Sequence, residues 1–286
     1  MTVAARPRIV MTMLVRNEAD IIRHSIEFHR AQGVDHFIVM DHGSEDGTVD
    51  VLREFADRGM AHLIQQADPG YRQSAWVTSM ARMAATDLGA DWVINADADE
   101  FWWPVDGDLK SVLDATPSGT DVLLAARHDF PPTMDTDGHF LDRMVHRKSK
   151  STNHFGGPLP GKACHRGAPD VEVDQGNHDC HSPRFQTKLP TEAIEILHFP
   201  VRSLEQITRK IACGGRAYEL SPEIPQVIGD SWRALYRTLQ TEGLERYFSD
   251  QCIDPDGHAT RGAELIRDTR LRDFMRSIRR PLGSMA

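Results

Sequence analysis

The feature that most constrains the fold is the alternation of short apolar runs with amphipathic segments through residues 9–97. The apolar runs cover residues 9–15, 36–40 and 61–64 and the stretch that leads into Asp97. Between them, apolar residues recur at three- and four-residue spacing, as on one face of a helix, and Gly33 and Gly59 stand where two of the helices are expected to end. This alternation predicts an α/β fold in which a doubly wound, mainly parallel central sheet is flanked by helices.

The turn after the first predicted strand excludes two common nucleotide sites. Residues 15–20 contain no glycine, so a pyrophosphate cannot lie against the backbone as it does in a dinucleotide-binding fold. The P-loop pattern is also absent from the sequence. Asn17 is predicted to cap the following helix, with Asp20 three residues on.

Three carboxylates, Asp97, Asp99 and Glu100, end the fourth apolar run. In a strand, side chains two residues apart share a face, so Asp97 and Asp99 are predicted to project together from the carboxyl end of the sheet. Two hard oxygen donors in that position suit Mg²⁺ or Mn²⁺, which would in turn hold a diphosphate. The alternative for an isolated Asp-x-Asp is a helix cap or an acidic surface turn.

Three segments together carry a family resemblance: residues 15–19, 40–48 and 95–101. In this order, at the ends of three predicted strands, they resemble the nucleotide-sugar domain of glycosyltransferase family 2 and its relatives with a GT-A fold. Residues 197–203, followed by Lys210, are similar to a bacterial subgroup of the same superfamily. The resemblance implies a metal-dependent hexosyltransferase that uses a nucleoside-diphosphate sugar.

The resemblance also assigns expected roles to individual residues. Asp41 would accept hydrogen bonds from the base or ribose, although a cap on the following helix is an equal alternative. Asp99 would coordinate the cation, Asp97 would bind the ribose or a metal-bound water, and Arg72 would bind a phosphate. A histidine late in the chain completes the metal site in many relatives, and His198 is placed for that role. The full donor-binding set is Val15, Asn17, Glu18, Asp41, Arg72, Gln73, Asp97 and Lys162; the metal set is Asp99 and His198.

An inverting transfer requires a carboxylate that takes the proton from the acceptor hydroxyl. The candidates between the acidic motif and His198 are Asp170, Glu172, Asp174, Asp179, Glu192 and Glu195. Asp174 and Asp179 are favoured because glycine and asparagine between them indicate a loop, and a retaining mechanism stays open. A zinc site built from Cys164, His165 and residues 178–181 is an alternative, although its spacing matches no structural zinc pattern.

Composition and net charge limit the expected binding partners and the expected cellular compartment of the protein. A net charge of −9 argues against sequence-independent nucleic-acid binding, and four cysteines without regular spacing argue against a disulfide framework. Together with the lack of a signal peptide or a transmembrane run, this predicts a cytoplasmic protein. An arginine-rich helix within residues 261–280 is expected to dock on the body, with peripheral contact to the inner face of a membrane as the alternative.

The sequence therefore predicts a GT-A-like catalytic domain over residues 1–203 and a helical extension on the acceptor side over residues 204–286. The expected donor is a UDP- or GDP-sugar, the cofactor is Mn²⁺ or Mg²⁺, and the acceptor is a glycan or a lipid-linked precursor in polysaccharide biosynthesis. Two other classes stay open. One is a catalytically silent relative that binds a nucleotide or glycan, and the other is a metal-dependent nucleotidyltransferase or hydrolase on a similar sheet.

Overall fold

The computed structural model describes residues 6–279, apart from 153–156, 158, 227 and 255–263. Its strands are β1 (Ile9–Val15), β2 (His36–Asp41), β3 (Ala61–Gln65), β4 (Trp92–Ala96), β5 (Glu100–Pro104), β6 (Val122–Asp129), β7 (His146–Lys148), β8 (Lys162–Arg166), β9 (Glu172–Val173), β10 (Cys180–His181), β11 (Lys188–His198) and β12 (Leu265–Arg267). Its helices are α1 (Ile22–Ala31), α2 (Thr48–Asp57), α3 (Gln73–Thr86), α4 (Leu109–Ala115), α5 (Phe140–Arg143), α6 (Leu204–Glu219), α7 (Asp230–Thr241), α8 (Glu245–Gln251) and α9 (Arg270–Arg279), with a 3₁₀ turn at Gln175–Asn177.

The chain divides into two compact units. The first unit combines residues 1–127 with 160–196, and the second combines residues 128–159 with 197–286. The predicted boundary after residue 203 falls inside the second unit, and the assignment of a catalytic domain and an acceptor-side extension stays a prediction.

An eight-stranded sheet has the order β3-β2-β1-β4-β8-β6-β11-β5. The first four strands are parallel, and β8 runs antiparallel to both of its neighbours. From β1 the chain moves outward to β2 and β3 and then returns to place β4 on the other side of β1. A topological switch point therefore lies between β1 and β4, and open α/β sheets bind ligands at the carboxyl ends of the strands at such a point.

Helices cover both faces of the parallel strands because successive strand residues point to opposite sides. Val10 of β1 packs in one core cluster with Val77 and Met80 of α3, whereas the sulfur of Met13 meets the Ser25 hydroxyl of α1. The predicted α/β class, with a central sheet flanked by helices, is confirmed, and the complete sheet is mixed. The four N-terminal strands and the three helices between them lie where the hydrophobic pattern predicts them.

In the second unit, α6, α7 and α8 share a separate apolar core. Gly215 allows α6 and α7 to approach closely, since a Cβ there would lie 2.1 Å from the Tyr236 ring. In α9, Leu271 and Met275 are buried, as expected for the docked face of this arginine-rich helix, whereas Ile278 is exposed. Residues 265–267, which the spacing assigns to the same helix, form β12 instead. Of the helices that the structure describes, none is long and apolar enough to cross a membrane. Membrane contact through α9 stays a prediction.

Candidate active site

The loops after β1 and β2 are tied together by polar contacts. Asn17 has a left-handed backbone with φ of 55°, donates its N–H to the Ser44 hydroxyl at 2.8 Å, and accepts the Glu45 N–H on its side-chain oxygen at 2.8 Å. The Glu18 N–H binds the Thr48 hydroxyl at 2.9 Å. The prediction that Asn17 caps the next helix is wrong, because α1 begins only at Ile22 and the Asn17 side chain is used to join the two loops.

Asp41 ends β2 directly opposite Val15 of β1 and is only 2% exposed. One of its carboxylate oxygens, Oδ2, accepts the Ser44 N–H at 3.1 Å. The other, Oδ1, is buried and has no hydrogen-bond donor within the part of the chain that the structure describes. The cap interpretation of Asp41 is wrong, since the N-cap of α2 is Gly47. A buried carboxylate oxygen without a donor is costly, and a ligand N–H or hydroxyl would satisfy it.

The three carboxylates after β4 form a tight turn. β4 ends at Ala96, the Glu100 N–H donates to the Asp97 carbonyl at 3.2 Å, and the Asp97 N–H donates to the Glu100 carboxylate at 3.2 Å. The predicted placement of Asp97 and Asp99 on one face of a strand is therefore wrong, because the Glu100 side chain closes a turn at this point. Asp99 is nevertheless buried, with 2% of its surface exposed.

Lys162, at the start of β8, balances this turn electrostatically. Its Nζ lies 2.6 Å from Oδ2 of Asp97 and 2.9 Å from Oε1 of Glu100. Burial favours loss of the lysine proton, but Asp97 and Glu100 outweigh it, so the pKa of Lys162 is raised and the amino group stays charged. Arg127 lies 3.8 Å from the same Glu100 oxygen. Two cations thus face two carboxylates, and the predicted contact of Lys162 with the donor stays a prediction.

A segment of the first unit, residues 171–177, is held along α3 by a row of side chains four residues apart. Arg82 donates to the Val171 carbonyl at 2.7 Å, Thr78 accepts the Val173 N–H at 2.9 Å, and Ser74 donates to the Val173 carbonyl at 2.6 Å. Residues spaced by four share one face of a helix, so these contacts form a continuous strip. The segment thereby runs from the end of α3 toward its first residue.

At the first turn of α3, Gln73 connects this segment to the acidic turn. Gln73 is buried, accepts the Gly176 N–H at 2.6 Å, and donates to the Asn177 side-chain oxygen at 3.0 Å. The Asn177 amide then donates to Oδ1 of Asp97 at 3.3 Å. The neighbouring Arg72 is exposed and pairs with Asp68 at 3.4 Å, and phosphate binding by Arg72 stays a prediction.

His178 follows in the same segment and is held in its neutral form. Its Nδ1 lies 3.0 Å from the Gly161 carbonyl, which accepts the ring N–H. Burial, and then the charge of Lys162, lower the pKa of His178 to about 4. At neutral pH this imidazole is therefore uncharged beside Asp97 and Lys162.

The two predicted catalytic bases, Asp174 and Asp179, lie together near His181. One ligand atom from each of these three residues falls within 4.8 Å of the others. Asp174 contacts His181 at 3.3 Å, and Asp179 is paired with Lys188. The role of either carboxylate as the catalytic base stays a prediction.

This group, found among the described residues, contains no cysteine, so the structure does not support the zinc alternative. Burial raises the pKa of the Cys180 thiol to about 12, and burial also raises the pKa of the Cys164 thiol. Both cysteines are therefore protonated thiols in this structure.

His198 belongs to the second unit, at the end of β11. Its Nδ1 lies 2.7 Å from Oδ1 of Asp129, and both side chains are largely buried. A carboxylate on one ring nitrogen fixes the ring orientation, as is usual for metal-binding histidines. Asp99 belongs to the first unit, and a cation shared by Asp99 and His198 stays a prediction.

The N-terminal part of the chain is similar in sequence to a family of glycosyltransferases. The model of glycosyltransferase family 92 matches residues 10–118, a segment that includes Asp41 and the acidic turn. The sequence resemblance is thus supported at the level of glycosyltransferases, whereas assignment to family 2 itself is not confirmed. No protein of curated function matches the sequence.

Three solved structures match the chain at 12–20% identity. The mannosyltransferase PcManGT from Pyrobaculum calidifontis, in complex with GDP-Man and Mn²⁺, is 15% identical, with 84% of this chain and 72% of that chain covered and a TM-score of 0.46. TarS 1-349 from S. aureus is 12% identical, with 84% and 74% covered and a TM-score of 0.44. Glucosyl-3-phosphoglycerate synthase from Mycobacterium tuberculosis, in complex with Mn²⁺, UDP and glucosyl-3-phosphoglycerate, is 20% identical, with 42% and 44% covered and a TM-score of 0.31.

Sequence reasoning missed several residues that shape this site. Asn177 and Arg127 contact the carboxylates of the acidic turn although they lie far from it in the chain. For Asn177, the run Asp-Gln-Gly-Asn at 174–177 indicates only a turn. Asp129, the partner of His198, carries no local signal because the pairing joins two distant strand ends.

Proposed function

We propose that this chain is a metal-dependent glycosyltransferase that moves a sugar from a nucleoside diphosphate to a hydroxyl acceptor. The observation that carries the proposal is the arrangement at the carboxyl ends of β2, β1 and β4. Asp41, with its unsatisfied buried oxygen, lies on one side of the switch point, and the acidic turn at 97–100 lies on the other. β2 and β4 are two strand spacings apart, roughly 10 Å. The family match to residues 10–118 supports the same reading.

In the proposal, Asp41 accepts hydrogen bonds from the base or ribose, and residues 15–18 form the adjacent wall of the donor site. Asp97 is already oriented by Lys162 and Asn177, and it accepts a hydrogen bond from the ribose or from a metal-bound water. Arg72 is sufficiently exposed to reach a phosphate. The donor in this scheme is a UDP- or GDP-sugar.

The donor atoms fit Mn²⁺ or Mg²⁺. Asp99 offers carboxylate oxygens, and His198 offers an imidazole whose ring is oriented by Asp129, a mixed set that Mn²⁺ accepts readily. When bound, the cation supplies charge neutralisation for the departing diphosphate. Asp174 or Asp179 would take the acceptor proton in an inverting, hexosyl-type transfer to a glycan or lipid-linked acceptor in the cytoplasm.

The first experiment is calorimetric and thermal-shift titration of the full chain with UDP, GDP, CDP and dTDP, each with Mn²⁺ and with a chelator. We expect stabilisation by one nucleotide that depends on Mn²⁺, and its loss in Asp99→Ala and His198→Ala. Asp114→Ala and His62→Ala, at exposed positions outside the proposed site, are the matched controls.

Each other outcome has a defined meaning. Normal Mn²⁺-dependent binding in His198→Ala would remove His198 from the metal site. Binding of a nucleotide sugar without its turnover would favour the catalytically silent alternative. Release of free nucleoside monophosphate from it would favour a hydrolase, and transfer of the nucleoside monophosphate to an acceptor would favour a nucleotidyltransferase. Failure of all four nucleotides to bind would refute the proposed function.

A further inference from the structure

We infer that Asn177 is a positioning residue for the proposed donor site, whose side-chain amide holds the Asp97 carboxylate in the orientation that the nucleotide requires. The inference rests on the proposed function. It goes beyond that function because it connects the 3₁₀ turn at Gln175–Asn177, more than seventy residues away in the chain, to the acidic turn after β4.

The position of Asn177 is fixed by α3. The row of Arg82, Thr78 and Ser74 holds the preceding residues by their main-chain atoms, and Gln73 ends the row by accepting the Gly176 N–H. The segment therefore has no freedom to slide along the helix without breaking several hydrogen bonds together. Asn177 therefore lies at the first turn of α3, where it is buried, with 2% of its surface exposed.

The hydrogen-bond chain also determines which way the amide points. Gln73 uses its oxygen for the Gly176 N–H, so its nitrogen must face the Asn177 oxygen, which it meets at 3.0 Å. With its oxygen engaged, Asn177 presents its two N–H groups in the other direction, toward Oδ1 of Asp97 at 3.3 Å. A donor amide and not an acceptor oxygen therefore meets the carboxylate.

Asp97 is consequently held at both of its oxygens. Asn177 donates to Oδ1, and the ammonium group of Lys162 donates to Oδ2 at 2.6 Å. Donors on both oxygens restrict rotation about the bond that carries the carboxylate. The Asp97 side chain is 39% exposed, so a ligand can reach it.

The backbone explains why asparagine suits this position. Asn177 has φ of 59°, in the left-handed region that glycine, asparagine and aspartate tolerate best. Of these three, glycine has no side chain and ionised aspartate has no N–H to donate. Asparagine alone combines the backbone conformation with a donor for Asp97.

The test is a double-mutant cycle measured as nucleotide affinity by calorimetry, using the nucleotide diphosphate that binds the wild-type chain in the presence of Mn²⁺. Asn177→Gly keeps the left-handed backbone and removes the amide; Asn177→Asp keeps the shape and replaces the donor by a carboxylate. We expect each to weaken binding at least about tenfold, with Asn177→Asp no milder than Asn177→Gly. In the Asp97→Ala background, neither should weaken binding further.

Ser79→Ala is the matched control, because it removes a hydroxyl from the same helix, α3, whose hydrogen bond goes to the Trp76 carbonyl and not to the docked segment. Its nucleotide affinity should equal that of the wild-type chain. A purely structural role for Asn177 predicts a different pattern: additive losses in the cycle and an Asn177→Asp variant milder than Asn177→Gly. That pattern would overturn the inference while leaving the proposed function intact. Absence of nucleotide binding by the wild-type chain would overturn both.

Discussion

Replacing Lys162 by methionine is expected to destabilise the first unit by about 3–5 kcal/mol, the usual effect of removing one partner from a buried ion pair. The Lys162 side chain is 2% exposed and that of Glu100 is fully buried. Without the ammonium group, Glu100 retains Arg127, whose nearest nitrogen is 3.8 Å away. The broken contact with Asp97 should contribute little to the loss of stability, because the Asp97 side chain is partly exposed and water screens its charge. Methionine retains an unbranched apolar stem, so loss of packing is a minor part of the change.

Urea unfolding followed by tryptophan fluorescence measures this loss, since Trp92 and Trp102 are buried. Each kcal/mol of destabilisation should lower Tm by roughly 2–4 °C. Lys110→Met is the matched control: Lys110 lies 2.5 Å from Asp35 in a pair that is partly open to solvent, so about 1 kcal/mol is expected.

A loss in Lys162→Met no larger than that in Lys110→Met, at neutral pH, would refute the reasoning. It would show that Arg127 or solvent compensates Glu100 without the lysine.

Three further predictions concern single positions. Asp41→Asn should weaken nucleotide binding about tenfold or more in calorimetry with little change in Tm, because it removes a charged acceptor and keeps the shape; unchanged affinity would remove Asp41 from the donor site. Gly167→Ala should lower the free energy of unfolding, measured in urea, by about 2 kcal/mol or more, since its Cβ would lie 1.9 Å from the Ala90 carbonyl oxygen. Gly119→Ala, with nothing within 4 Å of its Cβ, should change that free energy by less than about 0.5 kcal/mol, and equal losses in the two variants would contradict this. Burial lowers the pKa of His29 from 6.5 to about 3, so between these pH values only the unfolded chain binds the proton, and the stability of the folded chain falls as pH falls. His29→Gln should show a shallower fall in stability from pH 7 to pH 4, and a slope identical to that of the wild-type chain would argue against a neutral buried ring.

The N-terminal fold could be predicted from sequence because its information is local. The runs at 9–15 and 36–40 are long enough for one strand each, and the helical spacing between them leaves few alternatives. The right-handed crossover rule then limits the handedness of each connection, whereas the return of the chain to place β4 beside β1 is a tertiary feature. The antiparallel partners β8 and β6 carry no comparable signal, since their pairing joins residues that are far apart in the chain.

The candidate site could be predicted only in part. The sequence points to Asp41 and Asp99 through the resemblance of residues 40–48 and 95–101 to glycosyltransferase segments, and both side chains are buried. The geometry around Asp97 was not predictable, because it depends on Lys162, 65 positions further along the chain. Asn17 was assigned to a helix cap because its residue type favours caps and left-handed turns alike, and only the tertiary contact with Glu45 distinguishes the two.

The strip of contacts along α3 also sets which positions of the chain are free to change. Ser74, Thr78 and Arg82 grip main-chain atoms of residues 171–173, and a carbonyl oxygen is the same in every amino acid. Within this segment, the side chains of Glu172 and of Asp174, one of the two proposed bases, are exposed. Glu172, two positions from Asp174, can therefore be exchanged with little effect on the attachment of the segment. The backbone of the segment is anchored, and its exposed side chains can therefore vary as an enzyme adapts to a different acceptor.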